Sequence, residues 1–335
     1  MKNVTKCLGL KLLPVAALLV SCLHGASAAD VKWDLPSIYP PGNMHIVAFE
    51  QFATRVAEAT KGSVLITVHA GGSLGLKGPE MVSALRDGIV PIGDVTPQQA
   101  IGDAPLGGFA ALPGLTSGFK ETRVLLDIAR PYYAAALAKN NQKILFTSVW
   151  PGQGIYTSKP VKAMADLKGI KIRTSDKNST EFFNALGASP IMMPWGEVVP
   201  ALISGAIASV TTSTQSGVDG KFWEFLKYFN KTNWANPIEV VSVNLDAWNK
   251  LTPEQRAAIE KVAETMEPEL WARSEALDSE LTALIQKNGI AVSDPTDDFK
   301  KELAAAASPT WALWAKNAGP DAQKILTEFR AKVGR

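Results

Sequence analysis

Cysteine and histidine are nearly absent from this chain: 335 residues contain two of the first and three of the second. Both cysteines, Cys7 and Cys22, lie in the opening segment that ends at Ala28. The rest of the chain therefore has no disulfide, no thiol nucleophile and no thiolate metal site. It must rest on a hydrophobic core, and 46% hydrophobic residues can supply one. The histidines after Ala28, His45 and His69, show no metal-ligand spacing. His69 follows a strand-like run and reads as a surface turn residue. No Gly-x-Ser-x-Gly elbow is present. Gly72-Ser73-Leu74-Gly75-Leu76-Lys77-Gly78 has neither the spacing nor the Ser/Thr of a phosphate loop, and Gly152-Gln153-Gly154 is too short a pattern for a dinucleotide. The acidic pairs are those of ordinary helix surfaces. Metal, cofactor and covalent catalysis all lack their usual residues, so no cofactor and no catalytic residue is expected.

A basic excess is missing as well. The segment from Met1 to Ala28 holds three of the 34 Lys+Arg and none of the 32 Asp+Glu, so the remainder carries 31 against 32, a formal net charge of −1. Neither nucleic acid nor an anionic membrane is implied as a partner. The segment itself reads as a secretory leader: Lys2, Lys6 and Lys11 form a basic region, Leu12 to Leu23 is mostly apolar, and Ala26-Ser27-Ala28 is a small-residue cleavage site. The apolar run is too short to span a membrane. Leu19-Val20-Ser21-Cys22 also fits a lipoprotein signal, which would leave Cys22 lipidated. The expectation is a periplasmic protein beginning at Ala29, with a tethered form as the alternative.

Strands and helices alternate through the rest, which indicates α/β layers. Asp34-Leu35-Pro36-Ser37 opens with a short strand, followed by a turn at Pro40-Pro41-Gly42. From His45 to Thr60 the pattern is helical, with Val47, Phe49, Phe52, Val56 and Ala57 predicted on one side. Lys143–Val149 is an apolar strand, and Trp150 to Gly154 looks like a hinge. Pro200 predicts a short or bent helix after Trp195. Thr252-Pro253-Glu254-Gln255 is a capping box with proline at the first helical position. The apolar stripe from Ile259 through Met266 and Leu277 to Ile285 predicts one helix to Lys287. Such a helix would be about 50 Å long, with a bend at Pro268.

The stretch from Leu167 to Val198 is the most informative. Gly169 supplies a turn, Ile170 and Ile172 alternate with Lys171, and Arg173 falls at the carboxyl end of the strand. Ligands of open α/β sheets sit outside the strand carboxyl ends. A guanidinium there offers a planar fork that matches a carboxylate. A small-molecule site also needs apolar walls and a few placed polar groups. Trp150, Gln153, Trp195, Thr211, Thr212, Ser213 and Trp234 offer these at strand ends or loops, although tryptophan serves the core as readily as a ligand wall.

Leu167–Arg173, Gly187–Val198 and Ala201–Ile207 together resemble the "LKGxKxR", "GAxPxxMPWxEV" and "ALxxGxI" pattern of solute-binding subunits of tripartite ATP-independent periplasmic (TRAP) transporters, the DctP type. Weaker echoes at Gly62–Val68, Ser73–Gly75 and Leu85–Gly88 extend the resemblance over most of the chain. It implies a two-domain, type II-like periplasmic binding fold with a long helix spanning both domains. Residues 29–150 plus about 239–278 would form one domain, and 151–238 plus about 279–335 the other. It also implies a receptor that closes on a small organic acid and serves a small and a large membrane subunit, and no enzyme. Arg173 matches the family's carboxylate-holding arginine and Trp195 its pocket aromatic. Thr212 stands where several members place asparagine, and Ala208-Ser209 replaces a common Asp-Gly. Gln153 and Thr96 stand where sialic-acid binders carry arginine and glutamate, which argues against that ligand. Asn43, His45, Gln98 and Gln99 are candidates from the first domain. With one arginine at the cleft the expected ligand is a monocarboxylate. The alternatives are a C4-dicarboxylate, a receptor for an ATP-driven importer, and a secreted organic-acid hydrolase or lyase.

Overall fold

The computed structural model describes residues 30–335; the leader and Cys22 lie outside the described residues. The chain runs β1 (Val31–Pro36), α1 (Met44–Ala59), β2 (Val64–His69), α2 (Met81–Arg86), β3 (Ile92–Val95), α3 (Phe119–Lys139) and β4 (Gln142–Val149). It continues through β5 (Gly154–Thr157), β6 (Lys171–Thr174), α4 (Lys177–Ala185), β7 (Ser189–Met192), α5 (Val198–Ser204), β8 (Ser209–Thr212), α6 (Thr214–Asp219) and β9 (Tyr228–Asn230). The final part is β10 (Ile238–Asn244), α7 (Leu245–Asn249), α8 (Pro253–Lys287), β11 (Ala291–Ser293), α9 (Asp297–Ala318) and α10 (Pro320–Val333).

Two lobes follow from the strand pairing. In the first, β1 and β2 form a parallel pair, and β3, β10 and β4 form an antiparallel sheet with β10 at its centre. The second lobe is a six-stranded mixed sheet in the order β11-β9-β5-β8-β6-β7. The chain crosses between lobes at Trp150–Gln153, again between β9 and β10, and along α8. The first two crossings are hydrogen-bonded to one another: Trp150 N donates to Pro237 O at 2.8 Å and Gln153 N to Ala235 O at 2.8 Å. This pairing makes a hinge of two adjacent extended segments.

In α1 the Asn43 side chain accepts from His45 N and caps the helix. The buried face is Ile46, Phe49, Phe52 and Val56, at spacings of three and four. Val47 does not join it: it is 40% exposed, because Ile46 and Ala48 take the inward positions. The expected capping box starts α8: the Thr252 side chain accepts from Gln255 N and the Gln255 side chain from Thr252 N. α8 is one helix of 35 residues. Its first half packs Ile259, Ala263 and Met266 with α1 of the first lobe, while Ile285 packs with Val210 and Phe222 of the second. It runs on through Pro268, whose missing N–H leaves the carbonyl of Glu264 without its usual donor. Pro200 lies in α5, which is only seven residues long and ends on Gly205 at φ +71°.

The end of the chain departs from the expected division. α9 buries Phe299, Leu303 and Ala307 in the second lobe but Trp314 and Ala315 in the first. α10 buries Ala322, Ile325, Leu326 and Phe329 against Leu125, Leu126 and Tyr133 of α3. Residues 279–335 therefore do not all belong with the second lobe. The apolar face of α10 matches a partner on the first lobe far earlier in the chain, which local patterning cannot disclose.

Candidate ligand-binding site

Between the lobes lies a small cavity of about 40 Å³. Arg173 reaches it from β6. The strand pairs with β7 on one side and β8 on the other, and this fixes the side chain at the interlobe end of the sheet. Its Nε and one Nη both donate to the Met193 carbonyl, at 3.1 and 3.0 Å, which orients the fork. The side chain is 3% exposed, and no acidic side chain among the described residues forms an ion pair with it. Burial lowers its pKa to about 10, opposed by Tyr39 and Asp176, so the group remains charged at neutral pH. A buried charge with no acidic side chain in contact is costly, and a bound anion would relieve it.

Across the cavity stands Glu239 on β10, also buried. Its Oε1 accepts from Tyr39 Oη at 2.8 Å, Trp150 Nε1 at 2.8 Å and Thr96 Oγ1 at 3.1 Å. Burial first, and the nearby Asp94 second, push this carboxyl well above the usual carboxylate range. Asp94 on β3 is itself raised by burial to about 7, and Ser37 Oγ donates to it at 2.6 Å. The acid pair thus resists carrying two charges. Tyr39 and Trp150 meet edge to face with centroids 4.8 Å apart and form an aromatic wall on the first lobe. Trp195 closes the opposite side. It is only partly buried and touches the apolar clusters of both lobes.

The structure brings Arg173, Trp195, Gln153, Thr212, Trp150, Thr96, Gln98 and Gln99 together at this cavity. Ser213 and Asn43 do not line it. Ser213 is buried as the cap of α6, accepting from Ser216 N, and the adjacent Thr212 and Ser216 face the cavity instead. His45 lines a separate groove of about 680 Å³ between α1, α6 and α8, and Asn43 stands beside it at the α1 cap. That groove is larger, and its lining arginine, Arg273, pairs with Glu280 at 2.8 Å. Trp234 and Thr211 belong to the core: Trp234 packs on Phe182 and Phe183 and donates to Thr211 Oγ1 at 2.8 Å. His69 ends β2, half-buried, with Nε2 2.7 Å from Asp34 Oδ1.

Sequence reasoning missed Tyr39, Ser175, Ser216, Pro237 and Glu239. One signal was available for Glu239. It is a lone acid in the apolar run Ile238-Glu239-Val240-Val241, directly after a proline. No cluster of His, Cys, Asp and Glu suited to a metal occurs among the described residues, and none of the described helices is long and apolar enough to cross a membrane.

Two lobes joined by paired hinge segments, with a charged cavity between them, define a solute-binding protein. Residues 37–317 match the family of bacterial extracellular solute-binding proteins, family 7, and the chain belongs to this family, that of the TRAP-transporter receptors. A Bordetella pertussis extracytoplasmic solute receptor binding pyroglutamic acid is 33% identical, with a TM-score of 0.87 over 89% of this chain and 99% of that one. A marine metagenome TRAP solute binding protein specific for pyroglutamate is 33% identical, with a TM-score of 0.85 over 90% and 98%. A monocarboxylate 2-oxoacid-binding periplasmic protein of Nostoc is 26% identical over 93% of this chain and 88% of the relative. These are receptors rather than enzymes.

Proposed function

We propose that this chain is the exported receptor of a TRAP transporter that closes on a small monocarboxylic acid and delivers it to the membrane subunits. One observation carries the reading: a buried guanidinium without an acidic partner, Arg173, shares a small cavity with a buried carboxyl, Glu239. A ligand carboxylate supplies the contacting anion through two charge-assisted bonds. The acid pair of Glu239 and Asp94 disfavours a second carboxylate, while an N–H or O–H on the ligand can face it. Trp150, Trp195 and Tyr39 suit a compact, partly apolar remainder. A 2-oxo, 2-hydroxy or cyclic acid satisfies all three conditions. Pyroglutamic acid, the ligand of the two 33%-identical receptors, has one carboxylate and one ring N–H and is the probe of choice.

In a thermal-shift screen at pH 8, L-pyroglutamate, lactate and pyruvate are tested against succinate and malate. At least one monocarboxylate is expected to raise the melting temperature by mass action. Strong stabilisation by the dicarboxylates, with none by monocarboxylates, would overturn the reading in favour of a C4-dicarboxylate receptor.

The working form is proposed to begin at Ala29, free in the periplasm, because Ala26-Ser27-Ala28 follows a short apolar run. N-terminal sequencing of the exported protein checks this. A blocked terminus at Cys22 with the protein in the membrane fraction would instead mean a tethered receptor.

A further inference from the structure

Asp219 closes the short helix α6 on the second lobe, yet its best partner lies on the first. Asn43 Nδ2 donates to Asp219 Oδ2 at 2.6 Å, and Gln215 Nε2 donates to Oδ1 at 2.7 Å. The oxygen of the Asn43 amide is already committed, accepting from His45 N at 2.8 Å to cap α1. The amide is therefore held in one orientation with its N–H₂ aimed across the lobe boundary. A carboxylate at the carboxyl end of a helix is unfavourable for that helix, so Asp219 is not there to stabilise α6. Burial also pushes its acid up to about 6. α6 ties this contact to the cavity, because Ser216 and the preceding Thr212 line the cavity while Gln215 and Asp219 face the groove behind it. An ionic contact between the lobes, Lys77 to Glu197 at 3.2 Å, has both side chains more than half exposed, and such pairs contribute little.

We propose that Asn43 and Asp219 form a latch that holds the lobes closed over a bound solute without touching it. The latch rests on the receptor reading above. Opening about the hinge carries α6 away from the α1 cap and breaks this bond, so it exists only when the lobes are shut. Its strength sets the residence time of the solute, since affinity differences between variants of one interface lie mostly in dissociation.

The substitution Asn43→Asp tests this cleanly. It keeps an acceptor at the helix cap, so α1 is retained, but sets two carboxylates against each other. Adding Asp219→Asn restores a carboxylate–amide pair with the donor reversed, and a double-mutant cycle isolates the coupling. Spin labels at Lys250→Cys on the first lobe and Lys168→Cys on the second report closure; the background is free of cysteine after Ala28. The probe is L-pyroglutamate at pH 8, where Asp219 is ionised. Asn43→Asp is expected to depopulate the short-distance state and speed solute dissociation at least about tenfold, as facing like charges require, with the ligand-free melting temperature little changed. The double variant should recover most of both. Unaltered closure and dissociation in Asn43→Asp, or a double variant no better than the single, would overturn the latch. If L-pyroglutamate does not bind the wild type, the ligand assignment fails, and the latch is read from the ligand-free distances. A closed fraction lost in Asn43→Asp and regained in the double variant supports it. A closed fraction that Asn43→Asp leaves unchanged refutes it.

Discussion

Arg173→Lys is expected to lose about 2–5 kcal/mol of solute affinity, the usual range for truncating a buried, hydrogen-bonded charge pair. The loss follows from geometry rather than charge, since lysine keeps the positive charge. Arg173 has its Nε and one Nη engaged by Met193 O, which leaves the rest of the fork directed at the cavity. An ammonium group cannot hold the Met193 carbonyl and bind both oxygens of a carboxylate. Calorimetry with L-pyroglutamate on both proteins measures the difference, and the ligand-free melting temperature separates it from damage to β6. Equal affinities would mean that the arginine does not hold the solute.

Asp94→Asn should change which acids are accepted. In the wild type at pH 8 the buried pair of Glu239 and Asp94 carries negative charge, because Asp94 titrates near 7, and a second ligand carboxylate beside it costs several kcal/mol. Asparagine keeps an acceptor oxygen for Ser37 Oγ but cannot ionise. The ratio of monocarboxylate to dicarboxylate affinity is therefore expected to fall by about tenfold or more, chiefly through a gain for succinate. In the wild type the same ratio should shrink as pH falls below about 7, when the pair takes up its proton. Affinities for L-pyroglutamate and succinate measured at pH 6 and pH 8 test both statements; a ratio unmoved by substitution and by pH would remove the acid pair from the account of specificity. The sign for stability is set by the same burial. Asp94 binds its proton more tightly in the fold than at its ordinary value of 3.8, so its contribution is fully present below that pH and fades as pH rises through about 7.

Much of the second lobe's share of the cavity was legible because it is local. Arg173, Thr212 and Trp195 sit at or just after strand ends, where chain order alone places a side chain toward the cleft. Ser213 and Asn43 were placed beside it and turned out to serve backbone amides at helix starts, a competing use that polar residues have at such positions. The first lobe's share was harder to read. Tyr39, Thr96, Trp150 and Glu239 are distant in sequence and meet only because β10 pairs with both β3 and β4. That register comes from the long return of the chain through the second lobe. The packing of α10 on α3 was hidden for the same reason, whereas the cap and length of α8 follow from its own residues, and its lobe-spanning course from the family resemblance.

The most direct test of a carboxylate clamp facing an acid pair is a mass spectrum of the solute released from the purified exported protein. One equivalent of a small acid bearing a single carboxylate, pyroglutamic acid or a compound of similar size, is the expected result. Release of a dicarboxylate, or of a neutral or cationic solute, would contradict the assignment of Arg173 and Glu239 and with it the proposed function.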